Sequence, residues 1–253
     1  MRKTIIFALS LLLFFVLLRL FVLEVHFING NSMNPSILGG DVVVISKLAY
    51  GPRIPRDVLE IPILDVVMGL LLPRSSKRNI IGSRGVYKRI NMGSVNRNDI
   101  IVFNCPIYQS NYLIKRCVAV PSDSVFIRGL DVVVNMCPLN DSIVQRVFIP
   151  QKSSFVSLEK NKSLFVAIRN YHDYVNAIGN FEIKNKLSEP FMLTQNYYYA
   201  IGDNRGSSTD SRTFGLIQED HIVGKAALIL ISFNPSKPFY SGIRWDRIFK
   251  KPV

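Results

Sequence analysis

"DVVVIS", residues 41–46, is an acidic turn residue followed by four β-branched side chains. Branching at Cβ restricts χ1 and suits a pleated, half-buried surface better than a helix. The same plan returns at Asp99 with "IIVFN" and at Asp131 with "VVVNM". Related apolar runs are "YLIKRCVAV" (112–120), "NYYYAIG" (196–202) and "HIVGKAALILISF" (221–233). Short apolar runs separated by turn signals predict a mostly β fold, barrel-like or made of several packed sheets. No repeat of solenoid type accompanies them.

Upstream of these strands lies "TIIFALSLLLFFVLLRLFVL", residues 4–23. As a helix this run covers roughly 30 Å, the thickness of a hydrocarbon core. It leaves through "LEVHF" with no small-residue cleavage pattern, which predicts an uncleaved signal-anchor. Arg2 and Lys3 precede it and the next lysine is Lys47, so the positive-inside rule puts the N-terminus in the cytoplasm and the rest outside. Arg19, near the far end, snorkels outward.

The chain has 253 residues and a formal charge of +13, from 31 Lys plus Arg against 18 Asp plus Glu. No zinc-finger spacing, helix-turn-helix pattern or aromatic-basic RNA motif goes with that charge, which argues against nucleic acid as a partner. Cys105, Cys117 and Cys137 form no C-x-x-C pair, and His26, His172 and His221 have no ligand spacing with them. Neither a disulfide framework nor a metal site is expected. Residues 51–90 begin with four prolines in "GPRIPRDVLEIPILDVVMGLLLPRSSKRN". Their apolar part, 58–72, either packs on the core or rests in the membrane interface with Arg74, Lys77 and Arg78 at the headgroups.

Three polar stretches carry possible chemistry. "NSMNPS" (31–36) reads alone as a turn, and a serine such as Ser32 is a poor nucleophile until a base takes its proton. None of the three histidines sits in a recognisable catalytic context, which removes a Ser-His-Asp triad. Lys115 lies inside an apolar strand beside Ile114, Val118 and Val120. It reads either as the polar-face residue of an amphipathic strand or as a buried base. Bringing a lysine from about 10.4 to neutrality near pH 7–8 takes about 4 kcal/mol, within the reach of burial. "AIGDNRGSSTDSRTFG" (200–215) is a solvated turn by itself, yet it offers Asp203, Asp210, Arg205, Arg212 and several hydroxyls to hold such a lysine.

Taken in order behind one anchor, these stretches resemble bacterial signal peptidase I, a Ser–Lys dyad protease. "SMNPSIL" (32–38) is similar to its box S-M-x-P-[ST]-L, with Ile37 standing before the leucine. "NDIIVF" (98–103) resembles G-D-[IV]-[IV]-x-[FV], with Asn98 for the glycine. "KRCVAVPSD" (115–123) resembles K-R-x-x-G-x-P-G-D, and "GDNRGSSTDSRTFG" (202–215) resembles G-D-N-x-x-x-S-x-D-S-R-x-x-G throughout.

The resemblance implies Ser32 as nucleophile and Lys115 as general base, with Ser208 orienting the lysine. It also implies an Asp210–Arg212 ion pair, an Asp203–Arg116 pair, the Ser32 backbone N–H facing the oxyanion, and Met33 beside the substrate. Some members add a serine hydroxyl two residues before the nucleophile. Gly30 stands there, leaving an amide or the Asn31 side chain as second donor. Ala119 and Ser122 replace glycines of the lysine box. A type II turn is strained at Ser122, so a type I turn is expected.

The implied protein is an endopeptidase of the bacterial inner membrane that removes signal peptides from exported preproteins without metal or cofactor. Its partners are those preproteins and the lipid bilayer. The expected order is a cytoplasmic 1–3, an anchor 4–23, a catalytic core over 24–127 with an insertion at about 51–90, an inserted subdomain 128–190, the rest of the core over 191–240 and a basic tail 241–253. The rivals are a self-cleaving repressor, which needs a DNA-binding N-terminus in place of residues 4–23, and a catalytically inactive membrane-anchored scaffold, which needs none of Ser32, Lys115 and Ser208.

Overall fold

The apolar run at the N-terminus folds as one helix, α1 (Arg2–Phe21), with none of its side chains buried against the protein. It is long and apolar enough to cross a membrane. The computed structural model describes residues 2–55, 61, 87–105, 112–136, 144–157, 191–238 and 240–252. Apart from Ile61, the stretch 58–72 lies outside them, as do Arg74, Lys77, Arg78, Cys137, His172 and the polar part of the insertion, 158–190.

From α1 the chain runs through Val22 directly into β1 (Leu23–Phe27), which pairs antiparallel with β2 (Asp41–Ser46), Leu23 opposite Ser46 and Phe27 opposite Val42. Lys47 closes this junction. Its amide donates to Val22 O, and its ammonium reaches the Arg19 carbonyl at 2.9 Å and the Glu24 carboxylate at 2.8 Å. A cation is favoured at a helix C-terminus, where the carbonyls lack partners. Burial raises the Glu24 pKa, but His26 and Lys47 outweigh it and hold the group down at about 2.

The remaining strands are β3 (Ile100–Asn104), β4 (Tyr112–Ala119), β5 (Ser124–Arg128), β6 (Asp131–Val134), β7 (Gln145–Phe148), β8 (Phe155–Val156), β9 (Phe191–Met192), β10 (Tyr197–Ile201), β11 (Ile217–Gln218) and β12 (Ile222–Ser232). The segments opening at Asp41, Asp99 and Asp131 become β2, β3 and β6, as their β-branched runs predict. Seven strands form one antiparallel sheet in the order β1-β2-β12-β3-β4-β10-β11. Irregular register in β12, between Ala226 and Leu228 and between Ile229 and Ile231, and in β10 at Tyr199/Ala200, adds local bend and twist. The sheet curls but keeps β1 and β11 as its two ends, and so is barrel-like without being closed.

A smaller sheet, β6-β5-β7, covers the segment expected to open the inserted subdomain. Its Val125 and Val147 pack with Ile149, and with Ala119, Tyr197 and Tyr199 of the main sheet, in one buried cluster. This part therefore shares its core with β4 and β10. The expected basic tail also returns to the sheet: Ile243 bridges to Phe233, and Phe249 N donates to Ile229 O at 2.8 Å.

The turn after β4 corrects one expectation. Ser122 has φ 74° and Asp123 N donates to Val120 O, so the turn is type II and not type I. Tertiary bonds hold the serine there: its amide donates to Ile149 O, and its hydroxyl to Gln151 Oε1, both at 2.8 Å. Asn98, at φ 69°, fills a glycine-like position that asparagine tolerates.

Candidate active site

Ser32 stands in the turn between β1 and β2. Asn34 N donates to Asn31 O and Ile37 N to Met33 O, which winds residues 31–37 tightly. Met33 and Ile37 are fully buried and pull the turn onto the sheet, while Ser32 stays half-buried at its surface. Together with Val43, Ile100, Ala226 and Ile229 they form an apolar floor, against which the partly exposed Ile28 and Ile114 pack. Met33, assigned to the substrate by resemblance, thus lies in the floor beneath the serine.

Burial alternates along β4, and Lys115 falls on the same inward face as Cys117 and Ala119. This excludes the polar-face reading: Lys115 is 3% exposed. Its Nζ lies 2.6 Å from Ser32 Oγ, a contact made across 83 positions of sequence. Among the described residues it has no ion-pair partner. Burial lowers its pKa to about 8, against an opposing pull from Asp210, Cys105 and Asp203.

The turn after β10 supplies the frame. Gly202 N donates to Asp210 Oδ2 at 3.0 Å. Asp210 caps a short helix, α2 (Ser211–Phe214), and accepts a bidentate pair from Arg212 at 2.9 and 2.8 Å. Burial raises the Asp210 pKa, but Arg212 and the Gly202 amide outweigh it and hold the carboxyl below its ordinary value. Arg116, next to Lys115 in the chain, grips Asp203 in the same forked way at 2.8 Å twice. Both predicted pairs are therefore formed.

Three residues of the frame carried no separate assignment in the sequence. Ser36 Oγ donates to Asp203 Oδ2 at 2.6 Å and accepts from Arg116 Nη2 at 3.0 Å. Asn204 donates its amide N–H to Ser32 O and its side-chain N–H to Asn31 O, at 3.0 and 3.2 Å. Gly202 leaves room for Ser32 and Ser208: a Cβ there would overlap Ser208 Oγ and lie 2.5 Å from Ser32 O. The signal for all three was present, because each occupies a specified position of the boxes, Ser36 in the first and the other two in the last.

Ser208 is brought beside Gly202 and the Ser32 carbonyl, but the expected bond to Lys115 is not formed. Its Oγ is buried and meets no strict hydrogen-bond geometry among the described residues; it sits beside the Asp210 carboxylate, whose pKa it helps to lower. The described histidines lie elsewhere: His26 pairs with Glu24 at 3.0 Å, and His221 lies 3.9 Å from Asp220. Among the described residues no group of three or more His, Cys, Asp or Glu could hold a metal, and Cys105 and Cys117 are both buried. A half-exposed hydroxyl against a dehydrated amine can attack a carbonyl and return the proton to a leaving group.

The family profile described as signal peptidase, peptidase S26, matches residues 1–231. The signal peptidase I of Buchnera aphidicola subsp. Acyrthosiphon pisum is 24% identical over 271 residues, covering 92% of this chain and 76% of that protein. That of Pseudomonas aeruginosa is 27% identical over 246 residues, covering 89% and 71%. That of Aquifex aeolicus is 24% identical over 258 residues, covering 92% and 85%.

Proposed function

The chain belongs to the signal peptidase S26 family, whose members named above are signal peptidases I, and from this we propose how its own residues remove signal peptides. Ser32 Oγ attacks the scissile carbonyl while neutral Lys115 takes its proton. The tetrahedral oxyanion is met by the Ser32 N–H. Lys115 then protonates the leaving amine, and a water activated by the same lysine hydrolyses the acyl-enzyme. The observation that carries this reading is the 2.6 Å approach of Ser32 Oγ to a lysine whose pKa burial has lowered to about 8.

The Arg116–Asp203 and Asp210–Arg212 pairs act as supports that hold the two turns against β4. Ser208, buried beside Gly202 next to the Ser32 carbonyl, is the hydroxyl assigned to orient Lys115. The apolar surface of Ile28 and Ile114 over Met33 suits small side chains before the cut, where a shallow floor rejects bulk. On this reading Arg2 and Lys3, ahead of α1, keep the N-terminus in the cytoplasm, and the catalytic sheet works on the outer face of the inner membrane. There the bilayer is a partner too, because tethering enzyme and preprotein to one membrane raises their effective concentration.

The test is cleavage of a preprotein with an Ala-x-Ala site by the detergent-solubilised chain, beside Ser32→Ala. Cutting after the second alanine that disappears in the variant supports the assignment. Equal cutting by both proteins removes Ser32 from the mechanism.

A further inference from the structure

The joint between the anchor and the catalytic sheet has no slack. Only Val22 separates α1 from β1, and its backbone is bonded on both sides: its N–H donates to Leu18 O and its carbonyl accepts from Lys47 N, each at 2.9 Å. Lys47 follows Ser46, which pairs with Leu23 at the start of β1. Its Nζ donates to Arg19 O at 2.9 Å and to Leu20 O at 3.4 Å, and meets the Glu24 carboxylate at 2.8 Å. The last turn of α1, the start of β1 and the end of β2 thus gather on one ammonium. The Lys47 and Glu24 side chains are only 13% and 14% exposed, so salt and water screen their contact little.

The clamp continues toward the dyad. Glu24 Oε1 lies 3.0 Å from His26 Nε2, and the His26 ring stands edge-on to Tyr112 with centroids 4.8 Å apart. Tyr112 opens β4, the strand that carries Lys115, while β1 itself leads into the turn of Ser32. Both reacting groups are therefore carried at a fixed offset from the end of a membrane-length helix. A flexible linker at this point would let the sheet sample many offsets. A signal peptide brings a matching constraint, because its small-residue cleavage site follows an apolar segment that lies in the bilayer. An extended peptide advances about 3.3 Å per residue, so one offset of Ser32 suits one number of residues between apolar segment and cut.

We propose that Lys47 is a specificity-determining residue: by clamping the last turn of α1 to β1 it fixes the offset of Ser32 from the bilayer, and so selects how many residues separate a signal peptide's apolar segment from its cleavage site. This role rests on the signal peptidase reading. Lys47 bonds to neither Ser32 nor Lys115, so cleavage of a peptide that needs no bilayer does not depend on it. The clamp acts on substrates held in the same membrane as the enzyme, and loosening it broadens the spacings that are cut.

The experiment places the full chain and Lys47→Met in vesicles of phosphatidylethanolamine and phosphatidylglycerol, with preproteins whose Ala-x-Ala site is moved one residue at a time away from the apolar segment. The same proteins are assayed in detergent on a short soluble peptide that has the Ala-x-Ala site and no apolar segment. The wild type is expected to cut one spacing about tenfold or more faster than a spacing two residues off, because a misplaced scissile bond is costly. In Lys47→Met that ratio falls to about threefold or less, while kcat/KM on the soluble peptide stays within about twofold. A spacing profile in Lys47→Met equal to that of the wild type overturns the proposal, as does a flat wild-type profile. So does an equal loss on both substrates, which makes Lys47 a support of the fold alone. If Lys47→Met does not fold, Glu24→Gln loosens the other end of the clamp and decides: a broadened profile supports the proposal and an unchanged one overturns it. Ser32→Ala on the soluble peptide separates the two levels, since cutting retained there strikes the nucleophile assignment and not the role of Lys47.

Discussion

Two lysines stand opposite the same residue of β3. Ile101 faces Lys115 of β4 on one side and Lys225 of β12 on the other. The Lys225 side chain is 42% exposed and forms an ion pair with Asp99, which also accepts from Tyr50 OH at 2.9 Å. Lys115 is buried, has a serine hydroxyl for a neighbour and no carboxylate partner among the described residues. Equivalent positions across one strand therefore give opposite chemistry. Water and a carboxylate stabilise an ammonium; an apolar wall withholds both and leaves an amine able to accept a proton. Reactivity follows from what surrounds the lysine and not from the strand that carries it.

The widest separation between the two is expected on removing each side chain. Lys115→Met lowers cleavage by about a thousandfold or more, the loss of a positioned base, while Lys225→Met stays within about threefold. Stability moves the other way. Tm rises for Lys115→Met, which removes an uncompensated buried charge, and falls for Lys225→Met, which strands Asp99. Kinetics and thermal melts of the two variants break the comparison if they behave alike.

Next in size is Gly202→Ala. Its methyl overlaps the Ser32 carbonyl and Ser208 Oγ, so the serine shifts away from Lys115. Activity drops by about a hundredfold, with Lys225 and its ion pair undisturbed. Assay of the purified variant, with circular dichroism to confirm folding, checks this.

The pH dependence sharpens the comparison further. Only neutral Lys115 is a base, so kcat/KM climbs about tenfold per pH unit and levels off near pH 8, where the lowered pKa lies. The stability sign is consistent. A lysine whose folded pKa of about 8 lies below its free value of 10.5 costs stability below pH 8, and that cost is relieved as pH rises between the two values. An acid limb unaffected by Lys115 burial, for instance one lying at pH 6, removes this group as the base.

The smallest effect expected is a gain. Among the described residues nothing lies within 4 Å of a Cβ placed on Gly30, so Gly30→Ser fits there and offers a second hydroxyl to the oxyanion. One more donor there is expected to raise kcat by roughly threefold to tenfold, less than the loss on removing an established donor because the hydroxyl must first be ordered. A rate equal to wild type leaves the oxyanion to backbone amides.

Much of the site was legible because its chemistry is packed into short boxes. Ser32, Lys115 and the pairs Arg116–Asp203 and Asp210–Arg212 were implied by the resemblance of those boxes to the family's, and the structure brings each pair within hydrogen-bond reach. Ser122 was misread for a physical reason. Its turn type is decided by the Ile149 carbonyl and the Gln151 side chain, which arrive from beyond β7. Arg247 went unmarked because a basic residue in a basic segment has no local signature. Its bonds run to the Ser36 carbonyl and the Asp41 carboxylate, more than two hundred positions away.

The strand pattern follows from the sequence by itself, because short β-branched runs behind turn residues favour a half-buried strand over a helix. So do the membrane-length helix and the four boxes that carry the resemblance. Tertiary structure alone decided which way Lys115 points, since alternation along a strand specifies two faces without saying which is inward. It also decided that β6-β5-β7 shares the main core, that the last basic segment is fastened to the turn that carries Ser32, and that Ser208 is buried beside Gly202 without a bond to Lys115 among the described residues. Each of these depends on contacts between distant residues, whose energies no short window of sequence contains.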